Sequence, residues 1–334
     1  MDNHTPRPAL KITPNRITFY DERTSSHKGT RRTADYYTGT DNSEQSNSRE
    51  EEARAHNGTL SESGRRNLLK ACARFIYFLN ISNEAKRRAK IKGKKSLKFI
   101  TLTLASEQQH SDTEIRQKLL NQFLTELRQE FGLKNYIWKA EKQENGNIHF
   151  HILVDIFIDW KIIREKWSRI QNKLGYIDRF RKGINENGFE YYFDSARKKN
   201  KFISSETIRA RWEKGKKENW NNPPGTEIRR VEKIKNTSAY FAKYFAKEDK
   251  IESGFGRIWF ASRTVSRYPI CRKLQGVAES KLYNFLWKFF KSRAYVNEYC
   301  LSYSIDLVKL NRLFPCELLQ NYLIECEKYS SEFD

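Results

Sequence analysis

Asn147-Ile148-His149-Phe150-His151-Ile152-Leu153-Val154 is the stretch on which the fold turns. Successive side chains of a strand point to opposite faces, so Ile148, Phe150, Ile152 and Val154 share one face and both imidazoles the other. Two imidazoles about 6–7 Å apart along a strand can chelate one divalent ion. They can equally be two histidines on a solvated strand face, and the pair alone does not decide. The chain before it adds a third group. Asn145-Gly146 is the strongest short hairpin signal, and it joins a strand over Tyr136 to Gln143 to one over Ile148 to Asp155. With a three-residue loop, Asn145 to Asn147, Gln143 faces His149 and Glu141 faces His151. With a two-residue loop, Ala140 and Lys142 oppose the histidines and the third ligand is lost. Glu141 is favoured over Gln143 because a hard cation prefers a charged oxygen.

Outward from the hairpin, Phe99-Ile100-Thr101-Leu102-Thr103-Leu104 alternates apolar residues with threonine and predicts a strand. A helix opens at Ser111 or Asp112, with Ile115, Leu119, Phe123, Leu127 and Phe131 at every fourth position and Gly132 after its end. Another is capped by Asp159, carries Ile163, Trp167 and Ile170, and ends at Gly175. Strand, helix, hairpin, helix is the order of an antiparallel α+β layer fold, not of a doubly wound parallel sheet. An insert over about 180–235 holds the basic run Arg197 to Lys201, a helix around Thr207 to Lys217, the breaker Asn221-Asn222-Pro223-Pro224-Gly225 and a strand near Glu227 to Val231. Its cations and its rings (Tyr191, Tyr192, Trp212, Trp220) suit a grip on single-stranded DNA through phosphates and stacking. Solvated helix and loop account for them as well.

Residues 236–249, Asn-Thr-Ser-Ala-Tyr-Phe-Ala-Lys-Tyr-Phe-Ala-Lys-Glu-Asp, predict a helix from Asn236 or Thr237 to Lys247. Tyr240 and Tyr244 lie about 40° apart on it, with Lys243 and Lys247 beside them. One reading is an amphipathic helix with a broad aromatic face. The other is a pair of nucleophilic phenols. Tyrosine attacks poorly at its free pKa near ~10, and neighbouring ammonium groups stabilise the developing negative charge.

The ends of the chain say less. The 334 residues hold 63 Lys+Arg and 41 Asp+Glu, a formal +22 that points to a polyanion, most simply nucleic acid. Residues 1–60 contribute nothing to that excess and show no sustained apolar period, which predicts a disordered leader. A helix is expected from Ser61 to Leu79, then a basic connector from Lys86-Arg87-Arg88 to Lys98. Arg257 to Ala261 is expected to be a strand by its Ile-Trp-Phe run, with helices following at Ser280 to Lys291 and around Asp306 to Glu327. The five cysteines form no CxxC pair, which favours free thiols over a zinc site or disulfides. No uncharged apolar run is long enough to span a membrane, and the N-terminus lacks the apolar core of a secretory signal.

Taken in order, FITLTL, NIHFHILV and AYFAKYFAK resemble the HUH rolling-circle replication initiators of phages and plasmids, in particular the two-tyrosine, microvirus-like group. The resemblance covers about residues 97–263. It implies a central antiparallel sheet with both histidines on a middle strand, flanked by helices and bearing the tyrosine helix across that face. By position, His149, His151 and Glu141 match the family's metal ligands, and the metal implied is Mg²⁺ or Mn²⁺. Tyr240 or Tyr244 would attack the scissile phosphate of single-stranded origin DNA, leaving a 5′-phosphotyrosine and a free 3′-OH. The second tyrosine would cleave the regenerated origin and pass the strand on, with Lys243 and Lys247 assisting. The domains expected are a leader over 1–60, the endonuclease over 61–265 and a helical extension over 266–334. No G-x-x-x-x-G-K-[ST] occurs, because Arg88 stands where the first glycine before Gly93-Lys94 is required, so unwinding would fall to a host helicase and extension to a host DNA polymerase. The compartment implied is the bacterial cytoplasm. A mobilisation relaxase or single-strand transposase would use the same chemistry, and a non-catalytic basic DNA-binding protein would keep the charge without it.

Overall fold

The computed structural model describes residues 7–13, 16–22, 60–93, 95–230, 251–252, 254–267, 272–275, 280–297 and 300–332. The chain divides into two compact units, Ala55–Cys72 with Lys95–Ser262, and Met1–Arg54 with Ala73–Lys94 and Arg263–Asp334.

Along the chain, strands β1 (Arg7–Thr13) and β2 (Arg16–Glu22) form an antiparallel hairpin. The disordered leader read from the sequence therefore does not hold for these two segments, and the remainder of 1–60 lies outside the described residues apart from Leu60. Only a few buried apolar residues (Ala9, Leu10, Ile12, Ile17) anchor them, too few to make a period visible. Helix α1 (Glu62–Arg88) is longer than expected and absorbs Lys86-Arg87-Arg88, which the sequence pattern assigns to a connector. Ile81 is buried and prolongs the apolar face, while three cations in the last turn suit the negative end of the helix dipole.

The unit built on Lys95–Ser262 follows. Strand β3 (Lys98–Thr103) leads to helix α2 over 112–131, in which a π-helical turn, Arg116–Leu120, joins Asp112–Ile115 to Asn121–Phe131. A four-residue apolar repeat overshoots the 3.6 residues of an α-helical turn, and the wider turn absorbs part of the drift, so that Leu119 and Leu120 are both buried. Strands β4 (Tyr136–Lys142) and β5 (Ile148–Val154) form the hairpin, and helix α3 (Trp160–Gln171) starts at the Asp159 cap. The insert is dominated by helix α4 (Tyr176–Lys199), bent at Gly188, and helix α5 (Ser205–Lys217). The first of these has no clean apolar stripe, and the sequence pattern does not announce it. Strands β6 (Thr226–Arg230) and β7 (Trp259–Ala261) complete an antiparallel sheet in the order β6-β3-β5-β4-β7, with β5 in the middle.

One face of that sheet, with Ile100, Leu102, Phe150 and Ile152, packs on Ile115, Phe123 and Trp167 of α2 and α3 in a continuous core. The other face carries the histidines. The sheet thus has a buried side that holds it rigid and a second side available for chemistry.

In the other unit, helix α6 (Arg263–Arg267), strand β8 (Arg272–Gln275), helix α7 (Ser280–Phe290) and strands β9 (Ala294–Asn297) and β10 (Cys300–Ser304) precede helices α8 (Leu307–Leu313) and α9 (Glu317–Glu332). The single C-terminal helix expected around 306–327 is two, because Pro315 cannot continue a helix and biases its predecessor Phe314 away from helical backbone. The C-terminus is helical as read, and its three strands join the N-terminal hairpin in the order β8-β1-β2-β10-β9. These partners are far apart in sequence, so no local pattern announces the sheet. Cys72, Cys300, Cys316 and Cys326 are free. Cys271 lies outside the described residues.

Candidate metal centre

The β4–β5 register is neither of the two anticipated. Glu141 pairs with His149, Ala140 with Phe150 and Lys139 with His151. The connection is longer than either loop considered: Gln143 N donates to Asn147 O at 2.8 Å, and Gly146 N donates to Gln143 O at 2.9 Å. Gly146 has φ 80°, where a side chain would be strained. Asn147 is pinned from outside the hairpin, its Oδ1 accepting from Gln108 N at 2.9 Å and its Nδ2 donating to Ser106 O at 3.0 Å. These contacts, not the turn dipeptide alone, set the register. One consequence is that Gln143 falls beyond the last pair instead of opposite His149, although it still lines the cavity.

Glu141 stands between the two imidazoles. Its Oε1 lies 2.5 Å from His149 Nε2 and 2.8 Å from His151 Nε2. One ligand atom from each of the three residues lies within 4.8 Å of the others. Thr101 on β3 pairs with His151 across the sheet, and its Oγ1 is 3.1 Å from His151 Nδ1. The Phe99 ring stacks on the same imidazole, 5.0 Å between centroids. Beneath them Lys139, wholly buried, places Nζ 3.6 Å from Glu141 Oε2. The site opens into a cavity of about 360 Å³ lined by Thr103, Glu141, His149, His151, Gly225 and Arg229 among others.

Burial alone would raise the Glu141 carboxyl pKa, but hydrogen bonds from His149 and His151, with their charges, hold it well below the carboxylate range. For His151 burial is the largest influence and lowers the pKa, against the opposing hydrogen bond to Glu141. Both shifts act on stability in one direction. A group whose pKa is depressed on folding contributes stability above its unfolded value and loses it as pH falls toward the folded one. Stability should therefore decline from below pH 6.5 for His151, and again from below pH 4.5 for Glu141. Glu141→Gln removes the carboxylate that accepts two hydrogen bonds and should cost about 3 kcal/mol at pH 7. The gap between wild type and variant in thermal melts should narrow as pH is taken from 6 to 3. A gap that is constant or widens would remove Glu141 from this role.

The residues fit a divalent cation. Two imidazole nitrogens and a carboxylate oxygen converge, and among the described residues Glu141 Oε2 and His149 Nδ1 are buried without a hydrogen-bond partner. An imidazole that ligates through Nε2 carries its proton on Nδ1, and Thr101 Oγ1 is placed to accept it from His151. The Glu/His/His group can hold a divalent metal, with oxygen and nitrogen donors that suit Mg²⁺ or Mn²⁺.

The other anticipated site residues, Tyr240, Lys243, Tyr244 and Lys247, lie outside the described residues. In the insert, three of the four rings that suit base stacking serve the helical hairpin itself. Trp212 and Trp220 have centroids 5.2 Å apart, and Tyr192 lies 5.4 and 5.3 Å from them. Gly215 is required there, since a Cβ would come 2.1 Å from the Trp220 ring. Tyr191 alone of the four is exposed, at 53%. Sequence reasoning missed Lys139, Phe99 and Thr101 as neighbours of the centre. The signal was available, because Lys139 shares strand parity with Glu141, and Phe99 and Thr101 alternate with the core positions of β3.

Residues 97–249 match the family model of the replication-associated protein ORF2. The matched stretch includes the β3–β5 sheet, the Glu/His/His centre and the sequence carrying Tyr240 and Tyr244, and it supports a replication initiator. No curated protein and no solved structure matches the chain. No described helix is long and apolar enough to cross a membrane.

Proposed function

We propose that this protein is a replication-initiator endonuclease of the HUH type, nicking single-stranded origin DNA with a tyrosine and rejoining strands in rolling-circle replication. The observation that carries the reading is the convergence of His149, His151 and Glu141 on the middle strand of a sheet whose sequence matches replication-associated proteins. Glu141, His149 and His151 hold a divalent cation, Mg²⁺ or Mn²⁺, which when bound supplies Lewis-acid polarisation of the scissile phosphate. Thr101 and Phe99 fix the His151 ring, and Lys139 sets the Glu141 carboxylate from below.

Tyr240 or Tyr244 attacks phosphorus through its phenolic oxygen, the bond to the 3′ oxygen breaks, and a 5′-phosphotyrosine forms with a free 3′-OH for a host polymerase. Lys243 and Lys247 offset the negative charge that develops on the phenol and the phosphate. The remaining tyrosine then accepts the second cleavage, so that the first 5′ end is released for joining. A host helicase opens the duplex, and the work is done in the cytoplasm of a bacterial cell. Full-length protein incubated with labelled single-stranded origin DNA and Mn²⁺ should give a covalent adduct that survives denaturation and is lost with chelator. No adduct with any cognate origin sequence would sink the enzymatic reading.

A further inference from the structure

The unit outside the family match carries a surface with the chemistry of a strand-binding platform. Residues 280–297, bounded in sequence by Glu279 and Glu298, contain Lys281, Lys288, Lys291 and Arg293 and no acidic residue. Leu282 and Leu286 are fully buried and fix helix α7 to its unit. Large rings on the same segment are left outside: Tyr283 is 38% exposed, Trp287 39%, Phe289 61% and Tyr295, on edge strand β9, 64%. Several exposed aromatics grouped on one short segment exceed the scatter of single surface apolar residues that needs no explanation.

Cations lie against these rings. Lys291 Nζ is 5.0 Å from the Trp287 centroid, and Lys288 Nζ is 5.4 Å from that of Phe289. Among the described residues none of the four cations is ion-paired to a carboxylate. The insert is the reverse case. There Arg181, Lys182 and Lys214 are paired with Asp178, Glu186 and Glu218, and Tyr192, Trp212 and Trp220 stack on one another. Tyr283 and Trp287, one helical turn apart, have ring planes within 4° of parallel. Bases laid on both would keep one stacking direction.

Unpaired cations call for a polyanion, and exposed ring faces call for planar groups that are not already stacked. We infer that α7 and β9 form a second, sequence-tolerant docking surface for single-stranded DNA, separate from the Glu/His/His centre in its residues. The inference rests on the reading that the chain acts on DNA. It adds that the C-terminal unit itself holds the strand, through phosphates at Lys288, Lys291 and Arg293 and through stacking on Trp287 and Phe289.

The test uses the full chain, a 30-nucleotide oligothymidylate that lacks the origin sequence, and chelator to silence any cleavage. K288Q/K291Q/R293Q changes only exposed side chains. It should weaken binding roughly tenfold, and the slope of log affinity against log salt should fall by about 2 for three lost phosphate contacts. W287A/F289A should weaken it roughly fivefold or more. A photoreactive iodouracil oligonucleotide should crosslink within 280–297. Equal affinity and an equal salt slope for the triple variant would overturn the inference and leave the endonuclease reading intact, because that reading is judged by adduct formation on origin DNA. An adduct on origin DNA together with crosslinks only elsewhere would overturn it too. So would a wild-type dimer that W287A/F289A converts to monomer without change in oligothymidylate affinity, since a second copy would then cover the face.

Discussion

His149→Ala should lower the rate of covalent adduct formation on origin DNA at least a thousandfold, about 4 kcal/mol of barrier. Of the three residues at the centre, His149 gives the cleanest test. Its Nδ1 has no hydrogen-bond partner among the described residues, and its side chain is the least buried of the three, at 12%. Its loss leaves Glu141 still bonded to His151 at 2.8 Å. His151 would be a poorer choice, because it is also stacked on Phe99 and bonded to Thr101, so its removal confounds chemistry with folding. The variant should keep its melting temperature within a few degrees and bind single-stranded DNA in chelator within about twofold. Mn²⁺ should stabilise the wild type by about 2.7 kcal/mol at a hundredfold excess over its dissociation constant, and His149→Ala by much less. Adduct formation by His149→Ala at the wild-type rate would show that the cation, if bound, sits elsewhere. Loss of both folding and adduct would instead make His149 a structural residue.

The strand carrying the centre was legible because strand parity is a local rule. Ile148 to Val154 alternate core and site whatever their partner, so both histidines had to share a face. Their pairing was not local. It depended on Gln108 and Ser106 holding Asn147, contacts about forty residues away in sequence. The actual register brings Glu141 opposite His149 and Lys139 opposite His151. Had only turn chemistry acted, a shorter loop would have shifted this pairing. The helices over 112–131 and Trp160–Gln171 were legible for the same reason as the strand, since each has an apolar stripe and a cap. Helix α4 lacks such a stripe, and its Gly183 and Gly188 argue against a helix from propensity alone, yet packing against α5 through Tyr192 and Trp212 overrides them. The N-terminal strands show the largest gap. A hairpin of two short strands is marginal alone. Its stability comes from β8 and β10, which pair with Ala9–Ile12 and Arg16–Tyr20 from the far end of the chain.

Tyr240→Phe combined with Tyr244→Phe should abolish the adduct altogether, a loss of at least ten-thousandfold. Each substitution removes one phenolic oxygen and keeps the ring, so an amphipathic helix with a broad aromatic face would be left with its packing unchanged. If the two tyrosines are only core residues, the variant should behave as wild type. If they are nucleophiles, no group of comparable reach remains to form the ester to phosphorus. The single variants carry the finer information. Residues four apart on a helix lie about 40° apart, so both phenols can approach one phosphate in turn. Tyr240→Phe and Tyr244→Phe should then each retain a first cleavage on a short origin oligonucleotide. Each should lose at least tenfold in transfer of that cleaved strand to a second origin, a step that needs one tyrosine occupied and the other free. Persisting adduct in the double variant would place the nucleophile elsewhere in the chain. Metal-dependent nicking without adduct would leave the Glu/His/His centre in place and make water, not tyrosine, the attacking group.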